Sequence, residues 1–274
     1  MDAALLSSEI LRQWRTPLLA VGRAAGAAIL SVYADSFDVV LKEDQSPLTV
    51  ADLKSQAIIA DQLHALTPTI AIISEESATL TLDATDAYWL VDPLDGTKEF
   101  INRNGEFTIN IALIVNQRPV LSLVGIPVLN EWYVASVGHG CWAHKADHPA
   151  VQVHTHKPPR PQLKVLASRS HRDDQLETKL QALAPVELVS AGSALKFTRI
   201  ADGSADFYPR LGPTHWWDSA AGQLLVEEAG GVVIDRRGQP FRYPTPHADR
   251  STLNEDFLVL GDATLIGRLG DFLT

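Results

Sequence analysis

The sequence WLVDPLDGTKEF, residues 89–100, joins an apolar strand to a turn that is rich in carboxylates. Asp92 and Asp95 flank the turn, and Gly96 and Thr97 follow in a pattern that can open a short helix. Asp, Pro and Gly are also common where an ordinary strand ends in a turn. The segment by itself is therefore compatible with a structural turn as well as with a functional site.

Further carboxylates follow other apolar segments of the chain. Glu75 and Glu76 come directly after the apolar residues 70–74, and Asp218 follows two tryptophans at the start of a helical pattern. Taken singly, the glutamates are typical of a solvated loop, and Asp218 is typical of a helix's first turn. Together with Asp92 and Asp95, such carboxylates would repel one another if they converged. A divalent cation removes that repulsion, and Mg²⁺ prefers carboxylate and carbonyl oxygens.

The composition is that of a globular protein with an acidic balance. Hydrophobic residues make up 46% of the 274 residues, and 23 basic against 33 acidic residues give a net charge of -10. That charge argues against a protein that coats the phosphates of a nucleic acid polymer. It is compatible with a small phosphorylated ligand, because cations held by carboxylates reverse the local sign of the field.

The N-terminal region and the cysteine content favour a cytoplasmic location. Cys141 is the only cysteine and has no partner for a disulfide within the chain. Asp2 and Glu9 stand where a signal peptide would be basic, and Arg23 interrupts the apolar run 16–30. We therefore expect neither a signal peptide nor a transmembrane helix. The sequence leaves open a monomer or a homodimer, and a peripheral contact with the cytoplasmic face of the inner membrane.

The first half of the chain combines helical and strand patterns. Thr16 and Pro17 predict the start of a helix that ends near Tyr33, preceded by a separate short helix over residues 3–14. Thr49, with a carboxylate three residues later, predicts a second helix that ends near residue 66. The β-rich runs that follow predict a largely antiparallel sheet: 69–74, 88–93, 106–116, 119–128 and 131–137.

The proline-rich segment 157–162 predicts a boundary between two halves. We expect an N-terminal α+β metal-binding half, residues 1–160, and a C-terminal α/β substrate-binding half, residues 161–274. In the second half, strand and helix patterns alternate. The predicted strands are 164–168, 186–190, 205–211, 231–235 and 257–261, and the predicted helices are 173–184, 193–203, 217–230 and 262–273.

Three motifs resemble the signature regions of the inositol monophosphatase-like superfamily. They are ISEES (73–77), DPLDGTKEF (92–100) and GPTHWWDSAAGQLLVEEAGG (212–231), and the resemblance covers nearly the whole chain after roughly the first 15 residues. It implies an α/β protein folded as a layered αβαβα sandwich. It also implies a phosphatase that uses two or three Mg²⁺ ions to bridge the phosphate and acidify a water molecule. The resemblance further implies that Li⁺ inhibits the enzyme.

The resemblance assigns roles to particular residues. It implies that the metal ligands are Glu75, Asp92, the main-chain carbonyl of Leu94, Asp95 and Asp218. Gly96 and Thr97 would present N–H groups to the phosphate at a helix N-terminus. Asp52 and Thr97, with Glu75, would orient or deprotonate the attacking water.

Within the superfamily, DPLDGTKEFINRNGEFTINIAL (92–113) resembles the 3'(2'),5'-bisphosphate nucleotidase branch. Lys98 and Glu99 stand where the inositol branch typically has Thr-Asn. The implied substrate is 3'-phosphoadenosine 5'-phosphate, which would yield AMP and phosphate. The implied nucleotide contacts are Ser168, His171, Gly192 and Lys196.

Other interpretations remain for these residues and for the activity. Lys196 is also typical of a solvated helix lysine, and His171 of a surface residue that caps the next helix. Because substrate choice lies in the loops around a shared metal cage, an inositol monophosphatase or a fructose-1,6-bisphosphatase is the alternative enzyme. A non-catalytic protein that binds phosphorylated metabolites is the alternative from another class.

Overall fold

The structure, a computed structural model, describes residues 6–37, 39–41, 47–77, 87–168, 174–183, 185–244 and 251–273. Two sheets and the helices around them form the described part of the chain. The helices are α1 (Ser8–Tyr33), α2 (Val50–Leu66), α3 (Thr97–Ile101), α4 (Asp174–Leu183), α5 (Leu195–Ala201) and α6 (Trp216–Glu228).

Helix α1 runs unbroken through Pro17 and is capped by the side chain of Ser7. The two helices that we expected on either side of Thr16 are therefore one, and that prediction is wrong. Proline removes one helical hydrogen bond, but the buried apolar stripe continues on both sides of it and holds the helix to the core. By length and composition α1 could cross a membrane, and 44% of its most apolar window is buried inside the structure.

Helix α2 begins where the sequence predicts. The Thr49 hydroxyl accepts the N–H of Ala51 at 3.1 Å, and the Asp52 carboxylate accepts the N–H of Thr49 at 2.8 Å. This pair is a capping box, and it satisfies backbone donors that the first turn leaves without helical partners. The predicted N-terminus of the second helix is confirmed.

Within the described residues, the large sheet has seven strands that lie side by side in chain order. All of its strand pairs are antiparallel except the first, which is parallel. A separate hairpin of β1 (Val39–Leu41) and β2 (Pro47–Thr49) precedes it. The seven strands are β3 (Ala71–Ser74), β4 (Ala87–Asp95), β5 (Thr108–Val115), β6 (Arg118–Ile126), β7 (Glu131–Ser136), β8 (Cys141–Lys145) and β9 (Val151–Val153).

The small sheet, in the part of the chain that the structure describes, has five strands and a mixed topology. Its strands are β10 (Leu163–Ser168), β11 (Val186–Ala191), β12 (Phe207–Arg210), β13 (Val232–Asp235) and β14 (Phe257–Leu260). Strand β10 is parallel to β11 and β12, whereas β14 is antiparallel to β12 and β13. The chain passes from one sheet to the other between residues 153 and 163, and the division into halves at residue 160 stays a prediction.

Three apolar clusters define the layers. One lies between α1 with α2 and the large sheet, and a second lies between the two sheets and encloses α5 and α6. The third joins the small sheet to α4 and the C-terminal turns. This order of helix and sheet layers confirms the αβαβα sandwich. The helix predicted over 262–273 is instead two 3₁₀ helices, Ala263–Arg268 and Gly270–Phe272, and Gly270, with φ of +44°, interrupts the helical pattern there.

Trp132 of β7 packs into a site lined by glycines. A Cβ atom on Gly125, its cross-strand partner in β6, would overlap the indole ring. A Cβ on Gly22 or Gly26 of α1 would also come within 3.2 Å of that ring. The close approach of α1 to the large sheet therefore depends on these glycines.

Replacement of Gly125 by alanine should lower the free energy of unfolding by about 1 to 3 kcal/mol, because the added methyl group overpacks the site. Urea denaturation measures this change. Gly267→Ala is the matched control, since no atom beyond its chain neighbours lies within 4 Å of the position that an added Cβ would take. Equal stability of the two variants would contradict this account of the packing.

Candidate active site

The carboxyl end of β4 places two of the predicted ligands. Asp92 is 1% exposed, and its Oδ1 accepts the N–H of Leu94 at 3.1 Å. The pairing of β4 with β5 shifts register between Asp92 and Asp95, where Pro93 has no N–H to give to the sheet. This irregularity lets both carboxylates lie at one end of the sheet, although only two residues separate them in the chain.

Helix α6 brings the third carboxylate to the same place. Asp218 lies in its first turn, and Oδ2 accepts the N–H of His215 at 2.7 Å in a second capping box. Ligand oxygens of Asp92, Asp95 and Asp218 all lie within 4.8 Å of one another. The predicted convergence of carboxylates from distant parts of the chain is therefore present in the structure.

Burial and the neighbouring carboxylates together raise the pKa values of all three carboxyl groups. Burial, followed by repulsion from neighbouring carboxylates, raises the pKa of Asp218 to about 8 and that of Asp92 well above its usual range. Burial also raises the pKa of Asp95, and the nearby Lys196 ammonium opposes part of that rise. The three carboxyl groups are energetically unfavourable when all are ionised with no cation nearby, so the site requires either bound protons or a cation.

Glu75 completes the predicted set. It follows β3, its N–H donates to the carbonyl of Val91 at 3.1 Å, and its charge contributes to the raised pKa of each of the three aspartates. One cleft of about 510 Å³ contains all the predicted metal ligands in its lining. They are Glu75, Asp92, Leu94, Asp95 and Asp218. Buried carboxylates and a main-chain carbonyl form an all-oxygen donor set, which fits a hard divalent cation such as Mg²⁺.

Asp52 and Thr97 lie beside this cleft. Asp52 is 1% exposed, and its Oδ2 accepts the N–H and the hydroxyl of Thr49 at 2.8 and 2.6 Å. The hydroxyl of Thr97 lies 3.4 Å from the other oxygen, Oδ1, and equally far from the carbonyl of Leu94. One carboxylate oxygen therefore caps α2 while the second faces Thr97, so capping and proton transfer are compatible roles.

Gly96 shapes the turn into α3. Its backbone is left-handed, with φ of +89°, and a Cβ there would overlap the hydroxyl of Ser193. Only glycine fits both constraints without strain. Gly96 and Thr97 line the cleft directly after the aspartates.

A second cavity of about 370 Å³ adjoins the cleft and shares Asp95, Gly96 and Asp218 with it. Three of the four predicted nucleotide contacts line it: Ser168, Gly192 and Lys196. His171 lies outside the described residues. The aromatic rings of Tyr208 and Phe257 form an apolar part of the same lining.

Lys196 is a buried lysine, not the solvated one that helical position alone would suggest. It is 4% exposed, and Nζ donates to the carbonyls of Ala191 and Ser193 at 3.1 and 2.7 Å. Nζ also lies 5.2 Å from the centre of the Tyr208 ring. Burial lowers the pKa of Lys196 to about 8, so the side chain is mostly protonated at neutral pH.

The groups that orient Asp95 were missed by the sequence analysis. Its Oδ2 accepts hydrogen bonds from Thr108 Oγ1, Asn110 Nδ2 and the N–H of Ala194 at 3.3, 3.2 and 2.7 Å. A signal for the first two was present, because they are polar residues two apart in an apolar strand and so share one face. His215, whose ring stacks on Trp217 at 4.7 Å and lines both cavities, was also missed.

The raised pKa values predict an unusual pH dependence in protein stripped of divalent cations. Folded Asp218 holds its proton up to about pH 8, whereas an unfolded aspartate releases it near pH 4. The resulting stabilisation is complete below about pH 4 and is lost as the pH rises through about 8. The melting temperature of the wild-type protein should therefore fall as the pH rises, and it should fall less in the Asp218→Asn variant. Asp147→Asn, at an exposed position, is the control. A fall just as steep in Asp218→Asn would contradict the assignment.

Comparison with known proteins identifies the family. The family model for the inositol monophosphatase family matches residues 10–258. The 3'(2'),5'-bisphosphate nucleotidase CysQ of Escherichia coli O157:H7 is 45% identical over 243 residues, which are 87% of this chain and 96% of that protein.

Solved structures agree with this result. CysQ from Bacteroides thetaiotaomicron, a bacterial member of the inositol monophosphatase family, is 35% identical with a TM-score of 0.76, over 90% of this chain and 96% of that one. An inositol monophosphatase from Anabaena shares the fold, with a TM-score of 0.75, 22% identity and coverage of 96% and 95%. The chain belongs to the inositol monophosphatase family.

Proposed function

We propose that the protein is a Mg²⁺-dependent 3'(2'),5'-bisphosphate nucleotidase that hydrolyses 3'-phosphoadenosine 5'-phosphate to AMP and phosphate. Its family and its similarity to nucleotidases support a phosphoric monoester hydrolase. The observation that carries the proposal is the juxtaposition of two cavities. A cleft of converging carboxylates adjoins a cavity that offers a buried lysine and aromatic rings.

The cleft would hold two or three Mg²⁺ ions. The residues proposed to bind them are Glu75, Asp92, the carbonyl of Leu94, Asp95 and Asp218. Bound Mg²⁺ supplies positive charge to phosphate oxygens and makes water more acidic. The hydrogen bonds to Asp95 from β5 and from Ala194 keep one of its oxygens fixed, which preorganises the site before a ligand arrives.

Proton transfer is assigned to Asp52 and Thr97. The Thr97 hydroxyl can donate to Asp52 Oδ1 while its oxygen accepts a proton from the attacking water. Their separation of 3.4 Å is long for a hydrogen bond, and such contacts commonly shorten when substrate binds. Glu75, which lines the same cleft, would help to orient the water. Gly96 and Thr97 would place N–H groups against the phosphate that is cleaved.

The second cavity would hold the nucleoside and the phosphate that is kept. Lys196 donates two of its three N–H bonds to main-chain carbonyls, which leaves one for a phosphate oxygen. Tyr208 and Phe257 offer apolar ring surface to a base. Ser168 and Gly192 line the same space, and the proposed role of His171 rests on the family resemblance alone.

The other interpretations have less support. Inositol monophosphatases and fructose-1,6-bisphosphatases could use the same ligand set, but the relatives at 45% identity are nucleotidases. A non-catalytic metabolite-binding protein would not need the aspartates and Glu75 to converge in one cleft. The proposed partner is a small phosphorylated nucleotide and no nucleic acid polymer. A cytoplasmic location, a monomer or homodimer and a peripheral inner-membrane contact are proposals that rest on the sequence.

Purified protein with Mg²⁺ should release phosphate from 3'-phosphoadenosine 5'-phosphate faster than from inositol 1-phosphate or fructose 1,6-bisphosphate. Asp95→Asn should lower kcat by about 100-fold or more, because a neutral amide is a poor ligand for a hard cation. Exposed Asp147→Asn is the control. Full activity in excess chelator would exclude the metal-dependent mechanism, and a preference for inositol 1-phosphate would assign a different substrate.

Asp52→Asn should lower kcat at least about tenfold, because an amide cannot accept a proton. Its oxygen can still cap α2, so the melting temperature should remain nearly constant. Thr97→Ala should have a similar effect on kcat, and the double variant should lose little more, because both residues belong to one relay. Turnover near the wild-type value in Asp52→Asn would restrict this residue to its capping role.

A further inference from the structure

Glu106, in the segment between α3 and β5, accepts hydrogen bonds from the loop that precedes α5. Its Oε2 accepts the N–H of Gly192 at 2.9 Å, and its main-chain carbonyl accepts the hydroxyl of Ser193 at 2.7 Å. We use the name 191–194 loop for the last residue of β11 and the three residues that connect it to α5. Glu106 is half-buried and lines neither of the two cavities.

The 191–194 loop contacts both parts of the proposed active site. Ala194 donates its N–H to Asp95 Oδ2 at 2.7 Å, and the Ser193 hydroxyl lies 2.9 Å from the Asp95 carbonyl. Gly192 and Ser193 line the 370 Å³ cavity, and Lys196 Nζ binds two carbonyls of the loop. The position of this loop therefore fixes one wall of the proposed nucleotide cavity.

The loop adopts a conformation that must be held by its contacts. Ser193 has φ of +47°, in the left-handed region that costs a non-glycine residue free energy. Gly192 lies so close to Glu106 that an added Cβ would come within 2.9 Å of the Glu106 carbonyl and 3.1 Å of its Cβ. Glu106 supplies both the close surface and a charge-assisted hydrogen bond, which is stronger than a neutral one.

We propose that Glu106 is a positioning residue that determines nucleotide affinity by holding the 191–194 loop against the cavity. This inference rests on the proposed nucleotidase function. Gly192, whose N–H Glu106 accepts, lines the space for the part of the substrate that does not react, so this contact would contribute alike to the ground state and the transition state. Asp95 keeps its hydrogen bonds from Thr108 and Asn110 when Glu106 is replaced. Loss of a contact to the part of the substrate that does not react raises KM more than it lowers kcat.

Three substitutions of Glu106 distinguish the effect of its hydrogen bond to Gly192 from the effect of its negative charge. Glu106→Gln keeps an oxygen that can accept the Gly192 N–H but removes the charge. Glu106→Asp keeps the charge, but its shorter side chain cannot reach that N–H within hydrogen-bonding distance. Glu106→Ala removes both. Glu187→Ala, an exposed glutamate in β11, is the control for loss of one negative charge from the surface.

For hydrolysis of 3'-phosphoadenosine 5'-phosphate, Glu106→Ala and Glu106→Asp should raise KM about tenfold, the effect expected for one charge-assisted hydrogen bond. Their kcat should change less than about threefold. Glu106→Gln should raise KM less, about threefold, because a neutral hydrogen bond is weaker than a charge-assisted one, and Glu187→Ala should remain near the wild-type value. The affinity for AMP, measured by calorimetry in the presence of Mg²⁺, should fall in parallel with the rise in KM.

The reverse pattern, with Glu106→Asp normal and Glu106→Gln impaired, would show that charge acts at a distance, for example on Lys196, and would overturn the proposal. A collapse of kcat at constant KM would overturn it too. If Glu106→Ala does not fold, the other two variants decide the result. An inactive wild-type protein would refute the proposed function, whereas an active one with unchanged KM in Glu106→Ala and Glu106→Asp would refute this inference alone.

Discussion

Repulsion among closely spaced carboxylates is the constraint on which the site depends. Asp92, Asp95 and Asp218 place ligand oxygens within 4.8 Å of one another, and Asp92 is buried while the other two are half-buried, which limits the water that would screen their charges. Burial, together with this repulsion, raises the pKa values of Asp92 and Asp218 and so favours their protonated forms when no cation is bound. A divalent cation would relieve the repulsion by coordination, so the electrostatics of the fold support the proposed metal binding.

Two helices orient active-site carboxylates through the same structural motif, a capping box at the helix N-terminus. Asp52 and Asp218 each occupy the third position of a helix, and each uses Oδ2 to accept the N–H of its N-cap residue, Thr49 and His215 respectively. The capping bond fixes the orientation of the carboxylate at little cost in side-chain freedom. The other oxygen of Asp52 then lies 3.4 Å from the Thr97 hydroxyl. Structural capping is therefore compatible with the active-site roles proposed for the same side chains.

The carboxylates have local signals in the sequence, whereas their assignment to one site came from the family resemblance. The strand before Asp92, the capping box at Asp52 and the first-turn position of Asp218 each lie within a few residues of sequence. The burial of Lys196 and the attachment of Ser193 to Asp95, 98 residues away, depend on how α5 packs between the sheets. No local pattern carries such information, so these contacts could not be derived from the sequence.

Local sequence patterns also failed to predict the start of a helix where tertiary packing determines it. Pro17 was expected to open a helix, yet α1 continues through it because the apolar stripe on both sides packs against the large sheet. Local propensity is a weak guide when a long buried face favours continuity. The largely antiparallel pairing of the five β-rich runs, by contrast, was predicted correctly, because short connections join successive runs. Strands β8 and β9 were not among the predicted runs.

Diffraction from crystals soaked in Mn²⁺, recorded with anomalous scattering, tests most directly whether the three aspartates form a divalent cation site. Mn²⁺ is the suitable probe because it accepts the same oxygen ligands as Mg²⁺. We predict an anomalous peak coordinated by oxygens of Asp92, Asp95 and Asp218 in the wild-type protein. A fully soaked crystal with no peak among these carboxylates would contradict the assignment.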